Sequence, residues 1–300
     1  MMVDTYSYIF FWVCILGLCM GSFFNVVILR SLAEESIVFP PSKCPKCGNR
    51  LKWWHNIPVL SYILLRGKCY FCKEKISIQY PIIELLTMFL YALSYLKYGL
   101  SIDTLFLMFW CSCLIIMCGT DIKEKLVDCN IAIGMGISGI IYHSIHSGWH
   151  GFVTSVLGVL IGVIVLEIIA RVGYIFAKTR AMGEADTYVA GALGSIFCLS
   201  THIALLCSLV AAMIFVLPVF FYNQYKNNNK DVCILGVLFT ISILLFEKVW
   251  QNFYTLIPVF VFGLWLAISV LKGVKNKENQ NYLPYVPALA LGSLYLIFCV

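Results

Sequence analysis

The sequence predicts an all-α, polytopic membrane helix bundle of about ten transmembrane helices, with a small cytoplasmic zinc-binding insert. Three observations predict it: the composition, the length of the apolar runs, and the distribution of Lys and Arg. Of 300 residues, 61% are hydrophobic and only 12% are charged, and the mean hydropathy is +0.90. Soluble domains are roughly half apolar and about a quarter charged, so too few polar side chains are present here to cover a water-facing surface. The apolar runs approach or exceed the roughly 20 residues that a helix needs to cross a bilayer. Backbone polar groups in lipid must be satisfied within the segment, so such runs are expected to be helices.

The runs fall at roughly 6–29, 81–98, 102–120, 129–146, 152–177, 186–200, 203–222, 233–247, 254–272 and 283–300. The segment at 186–200 is short and rich in small residues, which let helices approach closely in lipid. Placing the 30–80 loop in the cytoplasm puts 121–128, 171–180, 223–231 and 272–281 on the same side. Those five stretches hold 19 of the 21 Lys and Arg residues, leaving only Lys97 and Lys248 outside. Such a split is the positive-inside pattern expected of alternating crossings. The first helix is then an uncleaved anchor with its N-terminus outside: Asp4 precedes it, Arg30 follows it, and no small-x-small cleavage site ends it.

The expected organisation is an anchor at 1–29, a tetra-cysteine subdomain at 30–80, a membrane core at 81–222, a two-helix insertion at 223–282 and a closing helix at 283–300. The net charge of +6 is spread over short loops, which argues for orientation in the membrane and against a nucleic-acid partner.

The 30–80 insert carries four prolines and two knuckles, Cys44-Pro-Lys-Cys47 and Cys69-Tyr-Phe-Cys72. Two CxxC pairs at this separation can close a four-sulfur tetrahedron around a structural zinc. A segment this small buries little core, so the metal would supply folding energy. A redox pair would need a βαβ context, which is absent. Most of the other cysteines, such as Cys14, Cys111 and Cys207, sit in or beside apolar runs and are expected to be core residues.

Ionisable residues at membrane depth are functional candidates. Asp121 ends the 102–120 segment and Asp186 opens the short small-residue segment, both on the cytoplasmic side. Two aspartates sharing a site cannot both ionise cheaply, so one keeps its proton. Such a pair can activate water and protonate a carbonyl oxygen; a proton relay or helix capping would use the same residues. Gly183 and Ala185, small residues beside Asp186, would allow a peptide backbone to come close. Glu84 lies one turn inside its helix, where a carboxylate suits the dipole. Asp103 and Glu247 are expected to be solvated at outer ends, and Glu167 to be buried against a partner.

Beyond this chemistry, several stretches carry a resemblance. They are Gly21-Ser22-Phe23-Phe24-Asn25-Val26-Val27-Ile28-Leu29-Arg30, the first CxxC, Asn56-Ile57-Pro58-Val59-Leu60-Ser61-Tyr62, and Leu65-Arg66-Gly67-Lys68-Cys69. Ile76-Ser77, Tyr80-Pro81 with Glu84, the two aspartate segments, and Pro284 to Gly292 follow. With these the sequence resembles the type IV prepilin leader peptidases, a family of GxGD-type intramembrane aspartyl proteases of the bacterial inner membrane. The resemblance implies cleavage of prepilin or pseudopilin leaders at the cytoplasmic face. It also implies methylation of the new N-terminus with S-adenosylmethionine. Asp121 and Asp186 match the catalytic aspartates, and Cys44, Cys47, Cys69 and Cys72 the zinc cysteines; Glu84 is a weak candidate for methyl transfer. Oligomeric state is not readable.

Four departures stand out. The GxGD motif reads Gly183-Glu184-Ala185-Asp186, Val127 replaces a proline before Asp128, Gln79 stands where an arginine is common, and 223–282 is inserted. The rival readings are a proton- or ion-coupled transporter using Asp121, Glu167 and Asp186, and a family member that binds prepilin without cutting it.

Overall fold

The computed structural model describes residues 2–177, 183–205, 207–208, 234, 238 and 285–299. Every regular element among them is helical, and the only β pairing is two isolated bridges in the cysteine-rich insert.

Helix α1, Met2–Leu32, runs three residues past the expected apolar stretch. At its end the Arg30 guanidinium donates to the carbonyls of Ser36, Ile37 and Pro40, which folds the following loop back on the helix. The insert then forms a 3₁₀ turn, Trp53–Asn56, and a short helix α2, Leu60–Leu64. Helix α3, Gln79–Tyr98, returns alongside α1. Two α1 glycines permit this: a Cβ on Gly17 would lie 2.6 Å from Met88 Cα, and one on Gly21 2.6 Å from Glu84 Cα. Without a hydrophobic driving force between helices in lipid, such close backbone packing is a main source of association.

Helix α4, Ile102–Glu124, is N-capped by Ser101, whose hydroxyl accepts the Thr104 N–H at 3.3 Å. It ends at Lys125, a left-handed residue (φ 57°) whose N–H closes onto the Asp121 carbonyl. Helix α5, Cys129–Ala177, has 49 residues but breaks at Gly148 (φ 57°, ψ −136°), a conformation that suits only glycine.

The two limbs of α5 fold back on each other, as their contacts with helix α6 (Glu184–Phe197) demonstrate. On the first limb, Gly136 meets Ala192, Gly139 meets Ser195, and the His143 Nε2 lies 2.8 Å from the Ile196 carbonyl. On the second, Gly162 meets Ala190, Gly158 meets Gly194, and the Ser155 hydroxyl donates to the Ser195 carbonyl at 2.7 Å. Numbers rise together on the first limb and oppositely on the second. The expected segments 129–146 and 152–177 are therefore two antiparallel limbs of one helical hairpin.

Helix α7, Val286–Cys299, packs against both α4 and α6. A common core unites α1, α3, α4, α5, α6 and α7, with Ile28, Met117, Met135, Leu193 and Leu289 fully buried.

Thr5–Leu32, Ile102–Glu124, Cys129–Arg171 and Glu184–Leu205 are long and apolar enough to cross a membrane. The expected segments at 203–222, 233–247 and 254–272, with the loops between them, lie wholly or almost wholly outside the described residues. The count of ten therefore stays an expectation.

Candidate active site and metal centre

The two knuckles of the insert have the same backbone. In the first, Gly48 N–H donates to the Cys44 carbonyl at 2.9 Å; in the second, Lys73 N–H donates to the Cys69 carbonyl at 3.0 Å. Gly48 and Lys73 both take positive φ, 71° and 60°. Each knuckle is closed by a bridge, Lys43 to Arg50 and Lys68 to Lys75. The four Sγ atoms all lie within 4.8 Å of one another, with Cys44 and Cys72 at 3.9 Å. Zinc–sulfur bonds of about 2.3 Å at tetrahedral angles require sulfurs roughly 3.8 Å apart, so this donor set fits the metal. The Cys72 N–H directed at Cys69, helped by that of Phe71, pulls the Cys69 thiol down to about 7, against burial. A thiolate is thus available near neutral pH, the form zinc binds. His55 closes the subdomain, buried against Trp54, Tyr70 and Phe71. Its Nδ1 accepts the Lys52 N–H at 3.1 Å.

Glu84 is not at the helix terminus that the dipole argument needs. It lies in the second turn of α3, buried, where its Oε2 accepts the Val59 N–H at 2.7 Å and its carboxylate accepts the Ser22 hydroxyl. Asn25, also on α1, donates to the carbonyls of Gly21 and Tyr80, both at 3.2 Å. Ser22, Asn25 and Val59 carry this junction. They fall inside the stretches that carry the resemblance, but nothing in their spacing reveals that they meet.

Asp121 is buried in the last turn of α4. Its Oδ2 accepts the Val286 N–H, the first of α7, at 3.0 Å. Asp186 is buried in the first turn of α6, and its Oδ2 accepts the Gly183 N–H at 3.0 Å. Tyr285, next to Val286, has its hydroxyl 3.4 Å from that of Ser208. The start of α7 therefore touches Asp121 directly. Six residues back from the Gly136–Ala192 contact, along parallel helices, Asp186 is level with Asn130, at the foot of the limb that follows α4.

Gly183 has φ −66° and ψ 155°, open to any residue, and is exposed. A Cβ there would meet only the Asp186 Oδ2, at 3.5 Å. Its glycine character provides space above the carboxylate, not a special conformation. Ala185 is an ordinary helical residue of α6, so the alanine in the GxGD position costs the backbone nothing. A cavity of about 250 Å³ opens beside α4, lined by Ser31, Leu32, Glu34, Thr120, Leu126, Val127 and Asp128. Asp128 accepts the Asn130 N–H at 2.9 Å and so caps α5 without the missing proline.

One expectation about acids is corrected. Asp103 is not simply solvated: it accepts the Tyr142 hydroxyl at 3.0 Å and pairs with His146 Nε2 at 2.9 Å. Glu167 is half-buried and pairs with Arg171, one turn on, at 3.1 Å. Glu247 lies outside the described residues. Counting along the antiparallel limb from the Gly162–Ala190 contact, Glu167 is level with Ala185. All three acids of the transporter reading thus gather at one end of the bundle.

Comparison with known proteins identifies the family. Residues 15–98 match the Bacterial Peptidase A24 N-terminal domain, and residues 108–221 match the Type IV leader peptidase family. A prepilin leader peptidase/N-methyltransferase of Neisseria gonorrhoeae is 33% identical over 229 residues, covering 67% of this chain and 80% of that protein. The chain belongs to the type IV leader peptidase family. A second member, the prepilin leader peptidase/N-methyltransferase of Myxococcus xanthus, is 33% identical over 60% of this chain, and the match spans 54% of that protein's length. A third, from Escherichia coli O78:H11, is a type 4 prepilin-like proteins leader peptide-processing enzyme, 31% identical over 60% of this chain and 73% of its own. No solved structure matches the chain significantly. The family's N-terminal match spans α1, the knuckles and α3, and its peptidase match spans both aspartates.

Proposed function

We propose that this inner-membrane protein cleaves the leader peptide of type IV prepilins or pseudopilins at the cytoplasmic face and methylates the new N-terminus. What supports the reading is that Asp121, in the last turn of α4, and Asp186, level with the foot of α5, lie toward the same end of the bundle, with Gly183 exposed beside Asp186. The relatives' names supply the substrate class.

Hydrolysis needs one ionised and one protonated carboxyl. The ionised aspartate takes a proton from water as the water oxygen bonds to the scissile carbonyl carbon. The protonated one gives its proton to the carbonyl oxygen. The C–N bond then breaks as the departing nitrogen takes a proton from the dyad, leaving a free carboxyl and a free amine. Gly183 and Ala185 border the approach to Asp186, and the Thr120-lined cavity offers polypeptide access beside Asp121. Cys44, Cys47, Cys69 and Cys72 would hold a zinc whose role is structural. S-adenosylmethionine, when bound, would supply the methyl group for the second reaction. Glu84 is bonded within the protein and fits a positioning role there, not contact with that group.

Co-expression with a prepilin, followed by mass measurement of the product, tests the reading. Asp186→Asn or Asp121→Asn should lower cleavage by about 10²- to 10⁴-fold while the protein stays in the membrane. Cleavage at the wild-type rate in either variant would remove the dyad.

A further inference from the structure

The cysteine-rich insert reads as a water-exposed subdomain, yet its surface is apolar where α2 leaves the bundle. Trp53 is 80% exposed, Leu64 77%, Ile63 62% and Leu60 58%. On α2 the polar and aromatic side chains face the opposite way: Ser61 and Tyr62 are partly buried, and the Tyr62 ring lies over Gly67. This short helix shows its leucines outward and its hydroxyls inward, the reverse of a helix in water.

Its depth is fixed by a hydrogen bond. Val59, the residue before α2, donates its N–H to Glu84 Oε2 at 2.7 Å, and the same carboxylate accepts from Ser22. Ser22 lies eight residues before Arg30 on α1, about 12 Å deeper at 1.5 Å per residue. The Pro58-Val59 corner is thus drawn below the level of Arg30, and α2 starts from there. Lys52, Arg66 and Lys68, all exposed, flank Trp53 and α2 in the chain. Exposed leucines and a tryptophan at this depth, flanked by cations, suit the boundary of an anionic leaflet.

We propose that Trp53 and α2 form an interfacial anchor seated in the anionic lipid of the inner leaflet, holding the zinc subdomain against the membrane surface. The occupant is lipid rather than protein because depth, outward leucines and flanking cations come together in one short segment.

The full-length protein in phosphatidylethanolamine/phosphatidylglycerol vesicles, with bromine on one lipid's acyl chains, tests this. Trp53 emission is read as the difference between wild type and Trp53→Phe, with zinc content measured in both. Leu64→Trp in the Trp53→Phe background places a second reporter on α2. The expected result is quenching by brominated lipid at both positions, with protection from aqueous iodide. Brominated phosphatidylglycerol should quench more than brominated phosphatidylethanolamine at equal mole fraction. Quenching by iodide and not by lipid would overturn the anchor. Protection from both quenchers would do the same and assign the face to a protein partner. Equal quenching by the two lipids would overturn the choice of anionic headgroups.

Discussion

At the residue scale, the site depends on backbone as much as on carboxylates. The Val286 N–H is the partner of Asp121 Oδ2, and no sequence pattern announces a backbone donor. Proline is well accepted at the first position of a helix, where it removes only that N–H. Val286→Pro should therefore keep α7 and lower kcat by about tenfold or more, the worth of a hydrogen bond to a charged group, with KM little changed. Single-turnover cleavage of a leader-bearing peptide checks it. Ala185 makes the opposite case. Because it sits in regular helix, Ala185→Gly should leave cleavage within about threefold and cost about 1 kcal/mol of helix stability. A large gain in rate would mean that the methyl obstructs substrate. The two aspartates were legible because carboxylates at lipid depth are expensive. Tyr285 and Val286 were not, because 164 intervening positions separate Asp121 from Val286 and only folding joins them.

At the scale of elements, the α5–α6 contact is a glycine seam. A Cβ on Gly158 would overlap the Gly194 carbonyl oxygen, and one on Gly162 the Ala190 carbonyl. Gly158→Val forces the limb away from α6 and should cost about 1–3 kcal/mol or more, read as a lower thermal midpoint in detergent. It should also lower activity, since α6 carries Asp186. The small residues of 186–200 predicted close packing from sequence, and the seam bears that out. What sequence could not supply was the partner. The sequence already separates 129–146 from 152–177, and the break at Gly148 falls between them; what it does not show is that the two limbs pack on opposite runs of α6.

At the scale of the molecule, metal and bundle are linked through Val59 and Glu84. Cys44→Ser should lose the bound zinc, expected at about one per chain for a four-thiolate site. It should make the insert sensitive to limited proteolysis, with α3 and α4 remaining protected, and activity should fall although both aspartates are intact. Metal content by elemental analysis and a proteolytic time course check this. An unchanged zinc content would remove the cysteine assignment. The helical class and the knuckles were plain in the sequence because hydropathy and CxxC spacing are local signals. The polar junction of Ser22, Asn25, Val59 and Glu84 was not, because the bonds of Val59 to Glu84 and of Asn25 to Tyr80 join separate parts of the chain. Charge distribution argued for alternating crossings; four of the described helices are long and apolar enough to cross a membrane.

The bond between Asp121 and Val286 also bears on biogenesis. Val286 is synthesised a hundred residues after Asp186. Until the closing helix is made, the Asp121 carboxylate lacks the amide that holds it, so this end of the bundle is completed last.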